Sequence, residues 1–432
     1  MTAQQILRGI LTEALAAADP RAAVQRALSL RDGQVCVGGR VIEARRVVVL
    51  AVGKAAAGMA AAAVKVLGER VDGGLIVTRW GHDEAVPALH TLVAGHPEPD
   101  EGSWAAAITV DALATSLGEG DLLLALVSGG ASALLADVAG DITLGDLQAL
   151  SRDLLRSGAS IGEINAVRKH LSTLKGGGLV RRASPARVAA LLLSDVVGDD
   201  PATIGSGLTA PDPTTLADAL AVLRRHDLAA PPRIADYLAI ASETPKPGDP
   251  LFDDAISLVV GSGRLSAEAA AVAARAQGYG SLILSTSMTG TAAELGRMHA
   301  AIVREVLASG QPVPAPCALI SGGEATVVVR GTGLGGPNQE FALAMALELQ
   351  GVAGWTALAA DSDGTDGPTD AAGGLVDGTT AARIRAQDLD PDAALANNES
   401  YLALDAVDAL LHPGPTGTNV NDIRVVLIDG AI

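Results

Sequence analysis

The residues best placed to do chemistry are cations beside glycine and carboxylates at strand ends. Only five of the 31 Lys and Arg residues are Lys: Lys54, Lys65, Lys169, Lys175 and Lys246. Lys54 follows Gly53, whereas Lys169 and Lys175 share the stretch 163–178, EINAVRKHLSTLKGGG. On a helix its polar residues Asn165, Arg168, Lys169 and Ser172 recur at three- and four-residue intervals, with Lys175 at the margin. Ile164, Val167, Leu171 and Leu174 fall on the opposite side. The spacing predicts one buried face and one presented cationic face, running into Gly176, Gly177 and Gly178. In a chain of formal net charge −18, that face reads either as an anion site or as ordinary solvated charge. A compact ammonium suits a phosphoryl group in transit better than a rigid guanidinium fork does.

Three glycine turns could cradle an anion. The apolar run 46–52 leads into Gly53-Lys54 and a helical pattern, which is strand, tight turn, helix, with free backbone N–H groups at the turn. It is not a P-loop, because GxxxxGK[ST] is absent. The continuous apolar run 121–127, the pattern of a buried parallel strand, leads into Ser128-Gly129-Gly130-Ala131-Ser132. Gly331, Gly333 and Gly336 match GxGxxG before Pro337, with Gly335 between them and Asp361 after the next strand. A dinucleotide would want these glycines, and so would any phosphate-binding turn.

The carboxylates form two loops. Strand 187–193 ends in Ser194, Asp195 and then Asp199 and Asp200; ligands of open α/β sheets bind at such strand ends. Strand 355–360 ends in DSDGTDGPTD, residues 361–370, with four Asp in ten residues. Oxygen ligands of this kind suit Mg²⁺. The EF-hand spacing and its closing Glu are missing, so a calcium loop is rejected. His96 beside Pro97 could be a general base; a turn-stabilising role is the preferred reading.

These groups need a frame, and a chain of 432 residues calls for two domains. Strand–turn–helix units recur on both sides of residues 211–250, where Pro and charge accumulate; this segment is expected to connect the halves. A second α/β pattern is expected to begin with the strand at 256–260. Weak echoes (LLALVSGGAS and CALISGGEAT, VVVLAVGKA and ISLVVGSGR) repeat the same devices. The expectation is an α/β protein with domains at 1–240 and 250–432, residues 2–30 being helical and the N-terminal helix free to pack on either. Hydrophobic residues reach 49% with 2% aromatics, so the cores must be Ala, Val and Leu. A pI of about 4.7 argues against nucleic acid or an anionic membrane as partner. Cys36 and Cys317 show no metal-ligand spacing or disulfide framework. No signal-peptide pattern or membrane-length apolar run is read. A cytoplasmic protein is expected, and a homodimer is left open.

Glycine turns, a cationic helix and Asp loops are the parts of phosphoryl transfer: cation clamps, Mg²⁺ carboxylates and a positioned acceptor. The motifs AVGKA at Lys54, GHPEPD, SGGASALL, NAVRKHLSTLKGG, SDVVGDDP, SGGEATV, GGPNQEFALA, GTDGPTDAAG and TGTNVND together resemble the glycerate 2-kinases of the MOFRL type, members of which are often labelled hydroxypyruvate reductase. The resemblance runs from Lys54 to Asp422. It implies ATP-dependent phosphorylation of D-glycerate to 2-phosphoglycerate with Mg²⁺, in a cleft between a Rossmann-like three-layer N-terminal domain and a C-terminal MOFRL domain. Lys54 would contact the transferring phosphate, with Arg168 and Asp195 also catalytic. Substrate or phosphates would be held by Ser128, Gly129, Gly130, Ser132, Asn165, Lys169, Ser172, Lys175, Asn338 and Glu340. Nucleotide would meet Gly333, Gly335, Gly336, Asp361, Thr365, Asp366 and Asn419, and Asp199 and Asp370 would serve metal. Two departures stand out. Pro337 occupies the place where the family commonly has Arg before Asn-Gln-Glu, and SGLTA replaces the usual SGPT. The alternatives are an NAD(P)-dependent hydroxypyruvate reductase, resting on Gly331, Gly333, Gly336 and Asp361, and a non-enzymatic binder of a small organic acid.

Overall fold

The computed structural model describes residues 1–429. The chain divides into two units, Pro20–Val260 and Met1–Asp19 with Gly261–Ile432.

In the first unit a three-stranded antiparallel sheet, β1 (Leu28–Arg31), β2 (Gln34–Val37) and β3 (Arg40–Ile42), precedes the main sheet. The main sheet holds β4 (Arg46–Val52), β5 (Val71–Arg79), β6 (His90–Ala94), β7 (Asp121–Val127), β8 (Arg187–Leu193) and β9 (Ile256–Gly261) in the order β6-β5-β4-β7-β8-β9. Its pairs β5–β6, β4–β5, β4–β7 and β7–β8 are parallel. Alternate residues face opposite ways along each strand. Val47, Val49 and Ala51 join one core with Leu122, Leu124 and Leu126, whereas Val48, Leu50 and Val52 join another with Leu123, Ala125 and Val127. Both faces are therefore covered, which is why the strands read as unbroken apolar runs.

Two expectations change here. The strand expected at 256–260 to open a second α/β pattern runs Ile256–Gly261 and instead extends the first sheet as its edge. The Pro-rich segment 211–250 is no bare connector. It carries helices Leu216–Arg225 and Pro232–Leu238, whose Ala219, Val222, Leu223, Ile234 and Leu238 pack with Ile142, Leu150, Leu154, Ile164 and Val167.

The second unit holds a mixed sheet: β10 (Gly280–Thr291), β11 (Cys317–Thr326), β12 (Trp355–Asp361), β13 (Gly373–Asp377), β14 (Leu410–Leu411) and β15 (Asp422–Ile428). The order is β10-β11-β15-β12-β13-β14, so β15 lies between β11 and β12, antiparallel to both. The helix Ala3–Ala17 belongs here. Its Leu7, Ile10, Leu11 and Ala14 form one core with Ala267, Ala270, Ala271 and Ala274 of the helix Gly263–Ala276 and with Val425 and Leu427. Among the described residues no helix is long and apolar enough to cross a membrane.

Candidate active site

At the C-terminal ends of β4, β7 and β8 the first unit brings Lys54, the Ser128–Ser132 turn and Asp195 together. The Lys54 amide donates to the Gly129 carbonyl at 2.9 Å, and the Ala55 amide donates to Ser128 Oγ at 3.1 Å. Gly53 sits at φ +129°, where a Cβ would lie 2.2 Å from Ser128 Oγ, so only glycine lets the two turns touch. A Cβ on Gly129 would lie 2.0 Å from Asp195 Oδ2, which puts that carboxylate directly against the turn. Burial raises the Asp195 carboxyl above its ordinary value, and the Lys54 ammonium pulls it back only in part. Lys54 itself forms no ion pair among the described residues.

His96, expected as a turn residue, also lies against this group. Its ring lies so close to Gly130 that a Cβ there would meet His96 Cδ2 at 2.9 Å and Lys54 Cγ at 3.4 Å. Burial, then the charges of Lys54 and Arg79, lower its pKa to about 4, so the imidazole is neutral near pH 7. His82 donates from Nδ1 to the Lys54 carbonyl at 3.1 Å, which leaves Nε2 to accept from Arg79 Nη2 at 2.5 Å. Motif spacing could not reveal this meeting, because the residues come from separate strand ends.

The stretch 163–178 is not one helix with a presented cationic face. A helix runs Ile161–His170 behind a Ser160 capping box, and a second begins at Gly178. Lys169 and Lys175 are buried and already neutralised. Lys169 Nζ meets Asp212 Oδ1 at 3.2 Å, and Lys175 Nζ meets Asp137 Oδ1 at 2.6 Å. The Ser172 hydroxyl donates to the same Asp137 carboxylate. A buried charge needs a partner, and these cations have theirs; Lys169, Lys175 and Ser172 are framework rather than a wall presented to an anion. The Gly176 and Gly177 amides likewise donate to Ser206 and Gly207 carbonyls at 3.0 and 2.7 Å. Arg168 is the exception: half-buried, its side chain makes no hydrogen bond or ion pair among the described residues. Asn165 Oδ1 accepts from Ser206 Oγ at 3.1 Å, and Ser206 Oγ meets Ser132 Oγ at 2.8 Å.

The second unit gathers acids around the start of the helix Pro337–Glu348. Asp366 accepts the Asn338 and Gln339 amides at 3.0 and 2.8 Å, capping that helix. Asp422 accepts Asn338 Nδ2 at 2.6 Å and the Ala325 amide at 2.8 Å, and it pairs with the fully buried Arg424. Burial and then the neighbouring Asp363 push the Asp361 carboxyl up to about 8; burial lifts Asp366 to about 7. Asn338 Oδ1 is buried without a hydrogen-bond partner. Thr365 donates twice to Asp363 Oδ1 at 2.9 Å, and Asn419 Oδ1 accepts the Asn421 amide at 3.0 Å. Glu340 is buried and accepts Asn398 Nδ2 at 3.2 Å beside a 300 Å³ cavity that Arg297 and Arg330 also line.

One expectation changes in this unit. A Cβ on Gly331, Gly333 or Gly335 would strike Asn397, Glu399 or Ser400, and one on Gly336 would strike Asp366, all within 2.6 Å. These glycine faces are filled by protein, so the GxGxxG match reflects packing, and Gly333, Gly335 and Gly336 offer no open pyrophosphate cradle. Asp199 lies in a loop of the first unit at φ +55°, and Asp370 in the second takes the Tyr401 hydroxyl at 2.7 Å. No group of three or more His, Cys, Asp or Glu among the described residues forms a preassembled metal cage.

Residues 6–239 match the family model described as a domain of unknown function, DUF4147, and residues 317–422 match the MOFRL family. The D-glycerate 2-kinase of Thermotoga maritima is 45% identical over 384 residues, 89% of this chain and 91% of that protein. A relative from Agrobacterium vitis, whose name carries a provisional hydroxypyruvate reductase assignment, is 45% identical over 433 residues, 99% of this chain and 95% of its own. The crystal structure of the glycerate kinase of Thermotoga maritima superposes with a TM-score of 0.89 at 40% identity, covering 98% of this chain and 99% of that one. With the DUF4147 match spanning its front half and such likeness along nearly all its length, this chain belongs to the glycerate 2-kinase family of MOFRL type.

Proposed function

We propose that this protein transfers the γ-phosphoryl group of ATP to the 2-hydroxyl of D-glycerate, giving 2-phosphoglycerate and ADP. Lys54 carries the reading: an ammonium with no ion pair among the described residues, on a turn between β4 and a helix, beside a glycine loop and a carboxylate of raised pKa. Asp195 accepts the proton of the 2-hydroxyl as its oxygen forms the bond to phosphorus and the bond to the β-phosphate oxygen breaks. A carboxyl lifted by burial is a better base for that task than an ordinary one. Lys54 stabilises charge developing on the transferring group, and neutral His96 beside it adds a hydrogen-bonding ring without a competing charge. Arg168, a guanidinium without an ion pair among the described residues, suits the glycerate carboxylate by its planar fork.

Mg²⁺ commonly binds through one or two carboxylates together with substrate phosphates. Asp361, Asp363 and the orphaned Asn338 oxygen fit that mode better than a preformed cage. When bound, the ion offsets phosphate charge. The reductase alternative loses its main support, since the glycine faces that would approach a pyrophosphate are filled.

Purified protein with D-glycerate, Mg²⁺ and ATP is expected to release ADP and to form 2-phosphoglycerate, read by phosphorus NMR. NADH oxidation with hydroxypyruvate and no ADP release would overturn the reading. Cytoplasmic location and a homodimer remain part of the proposal, tested by fractionation and by light scattering.

A further inference from the structure

The loop 204–207 holds an uncommon backbone. Gly205, Ser206 and Gly207 have φ of +55°, +57° and +69° in succession. A serine rarely adopts this region, and it persists only where the surroundings enforce it. Here the Ser206 and Gly207 carbonyls are pinned by the Gly176 and Gly177 amides. Gly205 packs so tightly on the end of β7 that a Cβ would lie 2.9 Å from Val127 Cγ1.

This strain places one hydroxyl. Ser206 is 2% exposed, and its Oγ lies 3.1 Å from Asn165 Oδ1 and 2.8 Å from Ser132 Oγ. A hydroxyl has one proton. Ser206 gives its proton to the Asn165 oxygen, so the proton between the serines comes from Ser132. Ser132 is half-buried beside the Lys54 turn and then offers only lone pairs to a ligand. It cannot donate to a phosphate or carboxylate without breaking the relay; its natural partner is a ligand hydroxyl.

We propose that Ser206 is a positioning residue that fixes Ser132 as a hydrogen-bond acceptor for a hydroxyl of the substrate, an inference that rests on the D-glycerate reading above. The expected role of Ser132 changes accordingly, from holding an anion to recognising a hydroxyl.

The test compares Ser206→Ala, Ser206→Gly, Ser132→Ala and the double Ala variant. Each single variant is expected to raise KM for D-glycerate about tenfold, the effect of one hydrogen bond, with most of the change in KM rather than kcat. The double variant is expected to be no worse than either single one, because both break one relay. D-lactate and 3-hydroxypropionate, each lacking one glycerate hydroxyl, serve as competitive inhibitors. In Ser206→Ala one of them keeps its wild-type inhibition constant and the other weakens. An unchanged KM in Ser206→Ala, recovery in Ser206→Gly, additive effects, or equal weakening of both analogues would each overturn the inference. A wild-type protein that forms no ADP from D-glycerate overturns the proposed function, and this inference with it.

Discussion

Lys175 and Asp137 close a 2.6 Å ion pair inside the first unit, and the same carboxylate accepts the Thr173 and Leu174 amides at 2.6 and 2.8 Å. Removing the cation leaves a buried carboxylate uncompensated. Lys175→Met is therefore expected to destabilise the first unit by about 3–5 kcal/mol, seen as an earlier urea midpoint. An unchanged midpoint would mean that the pair is structurally neutral.

Arg168 should behave in the opposite way to its neighbour Lys169. The Arg168 guanidinium has no hydrogen bond or ion pair among the described residues, whereas Lys169 is bound to Asp212. Arg168→Ala is expected to keep its melting temperature within about 2 °C, the ordinary scale for a side chain outside any buried network, while KM for D-glycerate rises at least about tenfold. Lys169→Ala is expected to lower the melting temperature markedly. Paired melting curves and steady-state kinetics decide between the two roles.

Much of the frame was legible in the residues themselves. Continuous apolar runs announced β4 and β7, because a strand covered on both faces has no polar positions to alternate. Pairings across the fold were not legible. Lys169 and Lys175 find their carboxylates 43 and 38 residues away, and nothing in helical periodicity distinguishes such a buried pair from a solvated face. The strand Ile256–Gly261 was recognisable as a strand, but a short apolar run carries no mark of which sheet edge it will join. The place of His96 was hidden for the same reason: its neighbours Lys54 and Gly130 reach it through the parallel sheet.

Lys54→Ala is expected to lower kcat by about 10²–10³, the usual scale for one group stabilising transition-state charge, with circular dichroism unchanged. Gly129→Ala should be comparably damaging without touching any charge, because its Cβ would displace the Asp195 carboxylate. Wild-type rates in the Lys54 variant would remove that residue from the mechanism.

Asp361 makes a pH signature. Its carboxyl is lifted from 3.8 to about 8 by burial and by Asp363. Across that window the folded state holds a proton that the unfolded chain has lost, so stability falls as pH rises through it. In the absence of nucleotide and divalent cations, the wild-type melting temperature is expected to be lower at pH 8.5 than at pH 5.5. Asp366, lifted to about 7, acts with the same sign. Asp361→Asn should therefore flatten the slope in part, and Asp361→Asn with Asp366→Asn should flatten it further. A slope unaltered by both substitutions would place the titration elsewhere.

The position of β15 bears on how the chain is made. This strand, Asp422–Ile428, joins β11 to β12 at the centre of the second sheet. Until those residues leave the ribosome, the two flanking strands have no ladder to share, and the N-terminal helix has only part of its docking surface. Pro20–Val260 has no such dependence and can close on itself early during translation. The strand order thus favours an assembly in which Pro20–Val260 closes before the sheet that β15 completes.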